Sequence, residues 1–417
     1  MDYQETLDWI HSKLKFGIKP GIERVKWLLN ELGNPQEKVK GVHVIGTNGK
    51  GSTVNYLQHI FTASGYEVGT FTSPFIMDFR ERISLNGQMI SKEELTEMVN
   101  RIEPIVERLP KETTWEAATE FEIITVLMFL YFGEVHPVDI AFIEAGMGGL
   151  HDSTNVFQPL VIVCPSIGLD HQAYLGEDHA AIARNKTGVM KAGVPVVYAT
   201  ERQDVVGVFE ERANMLASKT YLLERDFSYQ ERGEKFDFIY QDERVDSIQL
   251  AMPGQHQKAN ASLAIMTTLL LKERYPNIST TKILSALSTS RWLGRTEFIR
   301  HNLMIDGAHN NESVQVLVDL LKSSYSDKDI HILFAAIEGK PVTDMLGMLE
   351  EFASLTVTSF DFPKALPLEA YPSQYIQVPS WQEWVTQMEP DEQRLYIVTG
   401  SLYFISNIRQ ALVEKDK

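Results

Sequence analysis

Seven consecutive residues, Gly46-Thr47-Asn48-Gly49-Lys50-Gly51-Ser52, combine glycines, a lysine and a hydroxyl. Glycines let backbone N–H groups approach phosphate oxygens. A lysine supplies a point charge for β- and γ-phosphates, and a serine hydroxyl suits the phosphates or their Mg²⁺. The apolar run Val42-His43-Val44-Ile45 before them reads as a buried parallel strand, and Ser52 to Ile60 after them as a helix with a serine start. A helix N-terminus brings its positive dipole end to the same point. The usual pattern, G-x-x-x-x-G-K-[ST], asks for Gly at 44 and Ser or Thr at 51. This chain has Val44 and Gly51, which weakens a generic GTPase or kinase reading and leaves phosphate binding intact.

Ligands of parallel α/β sheets gather beyond the carboxyl ends of the strands, and further polar residues fall there. Glu144 closes the apolar run Val138–Ile143 and opens Ala145-Gly146-Met147-Gly148-Gly149, a position suited to a Mg²⁺ ligand. Asp170-His171 follows a strand over Leu160–Cys164, and Lys186 sits on a helix behind it, by itself an ordinary surface lysine. Asp306, in Asp306-Gly307-Ala308-His309-Asn310, suits a ribose hydroxyl or a helix cap. Arg295 is placed to reach a phosphate or to form an exposed salt bridge. The chain has no Ser/His/Asp order, no H-E-x-x-H, no cysteine cluster and no G-x-G-x-x-G with a following acid. Hydrolase and dehydrogenase chemistries are therefore unsupported.

The elements that must position these residues alternate. Helices are expected over Tyr3–Leu14 and Ile22–Leu32, joined by a basic Gly/Pro loop, Lys15–Gly21. Strands are expected at Glu67–Phe71, Val138–Ile143, Leu160–Cys164 and Val194–Tyr198, with a hairpin turning at Asn86-Gly87. Helices fall at Ser91–Arg108, opened by a capping box, and at Ala117–Phe132 and Asp178–Met190. This rhythm predicts an α/β fold with a doubly wound, mostly parallel sheet. Residues 221–250 read as a small antiparallel flap at the sheet edge, followed by helices Gln255–Glu273 and Ser279–Leu287. After a linker, Arg291–Arg295, a second, smaller Rossmann-like series starts with strand Leu303–Ile305. The expected division is 1–295 and 296–417.

The 417 residues carry 39 basic and 56 acidic side chains, a net charge of −17, so non-specific nucleic-acid binding is disfavoured. The single cysteine, Cys164, lies in an apolar run and excludes an internal disulfide. No signal-like start or membrane-length apolar run is present, so a cytoplasmic protein is expected, with a monomer as default.

Taken in order, these motifs resemble the folylpolyglutamate synthase/dihydrofolate synthase family of the Mur ligase superfamily. The likeness runs from Phe16-Gly17-Ile18-Lys19-Pro20-Gly21 through the phosphate loop, Thr72-Ser73-Pro74, Arg80-Glu81-Arg82-Ile83, Glu144–Gly149 and Asp152-Ser153-Thr154-Asn155. It continues with Gly168-Leu169-Asp170-His171, Asn185-Lys186-Thr187-Gly188, Gly254–Ala261, Gly294-Arg295, Asp306–Asn310 and Gly400-Ser401-Leu402-Tyr403. The family writes its loop GTNGKG[ST], which accounts for Gly51.

The resemblance implies that Gly49, Lys50, Gly51 and Ser52 hold the ATP phosphates, and that Asn260, Arg295 and Asp306 also bind ATP. It implies that Ser73 and Glu144 ligate one Mg²⁺, and that His171 ligates a second beside a carbamylated Lys186. A monovalent cation such as K⁺ is a further family cofactor. Thr119, Glu120, Phe121, Glu122, His151, Asp152 and Ser153 would line the pterin side. The implied chemistry is carboxylate activation as an acyl phosphate, then attack by L-glutamate, with a closing second domain excluding water. Acceptors would be tetrahydrofolate and dihydropteroate. Two positions depart from the family pattern on the folate side: Phe75 replaces a His, and Leu150 an Arg. A cell-wall peptide ligase is the competing ligase, but its UDP-sugar domain has no room before the loop. A P-loop binding module leaves Glu144, His171 and Lys186 unexplained.

Overall fold

A computed structural model describes residues 1–13 and 21–413. The expected basic loop and the Phe16–Pro20 part of the motif lie outside the described residues, as does Leu14. The chain divides into two compact units, Met1–Ala251 with Gln257–Ser290, and Met252–His256 with Arg291–Lys417.

The first unit is built on an eight-stranded sheet. Its strands are β1 (Gly41–Val44), β2 (Val68–Phe71), β3 (Ile83–Leu85), β4 (Gln88–Met89), β5 (Ile140–Glu144), β6 (Val161–Cys164), β7 (Val196–Tyr198) and β8 (Thr220–Leu222), in the order β4-β3-β2-β5-β1-β6-β7-β8. Strands β2, β5, β1, β6, β7 and β8 pair in parallel, and β3 and β4 add antiparallel pairings at the β2 edge. β1, β2, β5, β6 and β7 are buried throughout, as strands covered on both faces must be, which is why they read as apolar runs. β1 lies between β5 and β6, with Val44 in register with Glu144 on one side and Val163 on the other. The strand feeding the phosphate loop is thus central, and the carboxylate closing β5 sits beside the loop's origin.

The hairpin turns at Asn86 (φ 51°) and Gly87 (φ 77°), the left-handed pair its twist requires. The helix opened by the Ser91/Glu94 capping box runs over Lys92–Glu112, past the expected end at Arg108 and through Pro110. Its buried stripe, Leu95, Met98, Val99, Ile102, Val106 and Leu109, holds the last turn against the core despite the lost N–H. The flap is also revised. Thr220–Leu222 joins the main sheet as β8, and the antiparallel part forms a separate three-stranded sheet of β9 (Ser228–Arg232), β10 (Lys235–Tyr240) and β11 (Glu243–Ile248). Buried Phe236, Phe238, Val245 and Ile248 give it a core-facing side of its own.

The second unit carries a six-stranded sheet of β12 (Glu297–Arg300), β13 (Leu303–Ile305), β14 (Asp329–Phe334), β15 (Ser354–Val357), β16 (Ile376–Gln377) and β17 (Arg394–Thr399). Its order is β12-β13-β17-β14-β15-β16, parallel except for β12. β12 and β16 were not anticipated. Both are polar or half-exposed edge strands, so they lack the apolar run that marks the central ones. Asp306 therefore follows the second strand of this unit, not the first.

Candidate active site

The loop after β1 closes into the helix Lys50–Ala63, which begins two residues earlier than the serine start suggested. Gly49 is its N-cap at φ 84°, and a Cβ there would lie 2.5 Å from Asn260 Oδ1, so only glycine fits both the backbone and the neighbour. The loop is tied to the segment after β6. Asn48 N donates to Ser166 Oγ at 2.9 Å, and Thr47 Oγ1 to the Gly168 carbonyl at 3.1 Å. Lys50 Nζ donates to the Thr47 carbonyl at 3.1 Å and lies 3.8 Å from Glu144 Oε1. Glu144 is 5% exposed, and its Oε2 accepts from Ser73 N at 3.4 Å. Ser52 is buried, with Gln257 Nε2 at 3.4 Å from its Oγ; Asn260 in turn donates to Gln257 Oε1 at 3.4 Å. Gln257 lies in the motif Gly254–Ala261, with no expected role of its own.

Lys186 corrects the reading of a surface lysine. It is 3% exposed, at the end of the helix His179–Lys186, and its Nζ donates to the Gly46 carbonyl at 2.8 Å. Gly149 permits this depth, because a Cβ there would lie 2.4 Å from the Lys186 carbonyl oxygen. Burial first, and then repulsion from Lys50, lower the Lys186 pKa to about 7. An amine with that pKa is substantially neutral near neutrality, the form that attacks CO₂. His171 is more open: its side chain is 46% exposed, its backbone is left-handed at φ 52°, and its Nε2 lies 3.8 Å from Asp170 Oδ2.

Mg²⁺ calls for hard oxygen donors. Among the described residues no group of three His, Cys, Asp or Glu is arranged to hold an ion by itself. One buried carboxylate and one hydroxyl residue at the phosphate loop nevertheless fit a hard cation that takes its remaining ligands from phosphate and water.

Most of the residues expected on the pterin side have partners within the first unit. Thr119 caps the helix Glu120–Leu130, with Glu122 completing the capping box. Glu122 pairs with Arg24 at 2.8 Å, and Glu120 with His11 at 3.0 Å and Arg82 at 3.5 Å. Phe121 covers Gly146, where a Cβ would meet its ring at 2.4 Å. Asp152 is buried and accepts from Met147 N at 2.8 Å, Thr154 N at 2.9 Å and the Thr154 hydroxyl; burial pushes its pKa up. Ser153 is buried beside it and His151 is exposed. Phe75 packs on Phe79 with ring centroids 5.8 Å apart, and the Arg82 guanidinium lies 5.4 Å and 5.3 Å from the two rings.

In the second unit Asp306 is 8% exposed and accepts from Thr296 N at 2.8 Å and Ala308 N at 2.9 Å. It is not a helix cap. Asn310 caps the helix Asn311–Ser324, with Ser313 returning the bond. Burial raises the Asp306 pKa and the Arg295 charge opposes the rise. Arg295 is half-buried over Gly307, where a Cβ would lie 3.1 Å from its Nη1.

Comparison with known proteins decides the family. The Mur ligase middle domain model matches residues 44–268. A dihydrofolate synthase/folylpolyglutamate synthase of Bacillus subtilis is 40% identical, over 98% of this chain and 99% of that protein. The chain belongs to the folylpolyglutamate synthase/dihydrofolate synthase family of Mur ligases. It is an ATP-dependent ligase. The folylpolyglutamate synthase of Lacticaseibacillus casei is 35% identical over 99% of both chains. A solved structure described as an FPGS–AMPPCP–folate complex superposes with a TM-score of 0.87 at 33% identity, covering 99% of this chain and 100% of that one. The α/β, two-unit architecture is thus that of the family's solved members. No helix among the described residues is long and apolar enough to cross a membrane.

Proposed function

We propose that this ligase joins L-glutamate to the carboxylate of folates, extending tetrahydrofolate and also converting dihydropteroate to dihydrofolate. The convergence of Lys50, Glu144 and Lys186 on the loop after β1 carries the reading. Glycine backbone, Lys50 and Ser52 would hold the ATP phosphates, with Asn260 beside Gly49; Arg295 and Asp306 are proposed nucleotide contacts of the second unit. Ser73 and Glu144 would hold one Mg²⁺, and His171 with a carbamylated Lys186 a second. When bound, the ions neutralise phosphoryl charge and polarise the γ-phosphate. A monovalent cation is a further requirement to test.

The acceptor carboxylate attacks the γ-phosphorus, the bond to ADP breaks, and an acyl phosphate forms. The amine of glutamate attacks the acyl carbon, inorganic phosphate leaves, and the amine loses a proton. Lys50 is placed to hold charge on the transferring group, because its ammonium leans on a single carboxylate at 3.8 Å and a carbonyl. Carbamate formation on Lys186 joins its neutral nitrogen to CO₂ and releases one proton, turning a buried base into an anion.

Acceptor labelled with ¹⁸O in the reacting carboxylate tests the route. One ¹⁸O is expected in the released phosphate; phosphate free of label would overturn the acyl-phosphate step.

A further inference from the structure

We infer that Tyr56 is a positioning residue for nucleotide binding: acting through Gln257, it orients the hydroxyl of Ser52, an inference that rests on the proposed place of Ser52 at the ATP phosphates. Tyr56 stands one turn after Ser52 on the helix Lys50–Ala63, where residues four apart share a face. Gln257 and Asn260, three apart on the helix Gln255–Leu271, share a face in the same way. All four residues belong to the first unit and all are buried, Tyr56 completely.

Their polar atoms connect in one direction. The Tyr56 hydroxyl donates to Gln257 Oε1 at 3.2 Å, and Asn260 Nδ2 donates to the same oxygen at 3.4 Å. Gln257 Nε2 donates to Ser52 Oγ at 3.4 Å. A carboxamide has one accepting end and one donating end, and its neighbours decide which way it faces. Burial pushes the Tyr56 pKa above its ordinary value, so the phenol keeps its proton and offers a donor. Asn260 Oδ1 faces Gly49, which leaves the NH₂ end of Asn260 for Gln257. Two donors thus hold the oxygen of Gln257 and turn its NH₂ to Ser52. Reversed, the Gln257 amide would set its NH₂ against that of Asn260.

The consequence falls on the Ser52 hydroxyl. A serine oxygen that accepts from Gln257 keeps its own O–H to donate to a phosphate oxygen, and a second lone pair for a cation. With the amide reversed, Gln257 Oε1 would draw the Ser52 proton to itself. The serine oxygen would then present only lone pairs to an anion. Tyr56, with no contact of its own to the phosphate loop's ligand, therefore sets whether Ser52 can donate.

The same bonds also pack two helices together, so the test separates orientation from packing. Titration calorimetry on the full chain with Mg²⁺ and a non-hydrolysable ATP analogue gives Kd, beside KM values for ATP and acceptor. Tyr56→Phe keeps the ring and removes the donor. It should raise Kd and the KM for ATP about fivefold and leave the KM for the acceptor unchanged. Gln257→Met keeps the length without either amide end and should raise Kd about tenfold. Neither loss should persist on a Ser52→Ala background. Each double variant should bind as Ser52→Ala alone does, because the effect passes through that hydroxyl. Losses that add to that of Ser52→Ala would mean packing and overturn the relay. Wild-type affinity in Tyr56→Phe, with Ser52→Ala binding weakly, would also overturn it. Wild-type affinity in Ser52→Ala would instead remove Ser52 from the phosphates, and the relay with it.

Discussion

Two buried charged regions of the first unit look alike in composition and differ in how their charges are met. At the start of the helix Glu120–Leu130, each carboxylate faces a fixed guanidinium: Glu122 that of Arg24, and Glu120 that of Arg82, with the His11 ring 3.0 Å from Glu120. Asp152 nearby is held by three donors of its own loop. At the phosphate loop, two lysines lean on backbone carbonyls of Thr47 and Gly46, and one carboxylate serves as neighbour to Lys50 from 3.8 Å. The first region spends its charges on holding the fold. The second brings two lysines and a buried carboxylate to one loop, where a phosphate chain and its metal would bind. Burial alone therefore does not mark a catalytic group; the convergence of charged groups on one glycine loop is the added sign.

The comparison breaks most sharply at Lys50. Lys50→Ala is expected to lower kcat by about 10³-fold with Tm within a few degrees of the wild type. A large fall in Tm would move Lys50 into the structural class. Lys186→Ala is the next largest effect, about 10²-fold in kcat, with partial rescue by short carboxylates. Its pKa of about 7 adds a pH signature. Depression below the ordinary lysine value means that the fold opposes protonation, so the stability penalty is full below about pH 7 and is relieved as pH rises toward the unfolded value. Carbamate formation should rise over the same window, read as a ¹³C resonance from labelled bicarbonate on the wild type and absent from Lys186→Ala. A pH-independent signal, or none, contradicts the assignment.

Glu122→Ala should do the reverse. Removing one member of a buried pair is expected to cost about 3 kcal/mol of stability, seen in denaturant unfolding, while kcat of the remaining folded enzyme stays within a few-fold. A stable variant with lost turnover would place Glu122 with the catalytic residues. The smallest effect is expected from Phe75→His. This replaces a ring that packs on Phe79 and Arg82, and should alter KM for the acceptor by a few-fold with KM for ATP unchanged. An equal change in both would remove Phe75 from the folate side.

The phosphate loop was legible because its chemistry is local: strand, glycines, lysine and helix lie within twenty residues. Glu144 was legible because a carboxylate ending an apolar strand is unusual. Lys186 was misjudged because its burial is decided by Gly149, 37 positions away in the sequence, which no helical period reveals. Gln257 stood inside the motif Gly254–Ala261 without a role, because its contact with Ser52 joins positions 205 apart. The structural duties of Glu120, Glu122 and Asp152 depend on His11, Arg24, Arg82 and Thr154, partners that sequence order does not place together. Edge strands such as β12 escaped because half-exposed residues follow no apolar run.

The most direct test of the account is glutamate incorporation. Purified protein with ATP, Mg²⁺ and labelled L-glutamate should label both tetrahydrofolate and dihydropteroate, with one ADP formed per glutamate joined. Labelling of only one acceptor would restrict the activity to that substrate, and no labelling of either would contradict the assignment as a folate–glutamate ligase.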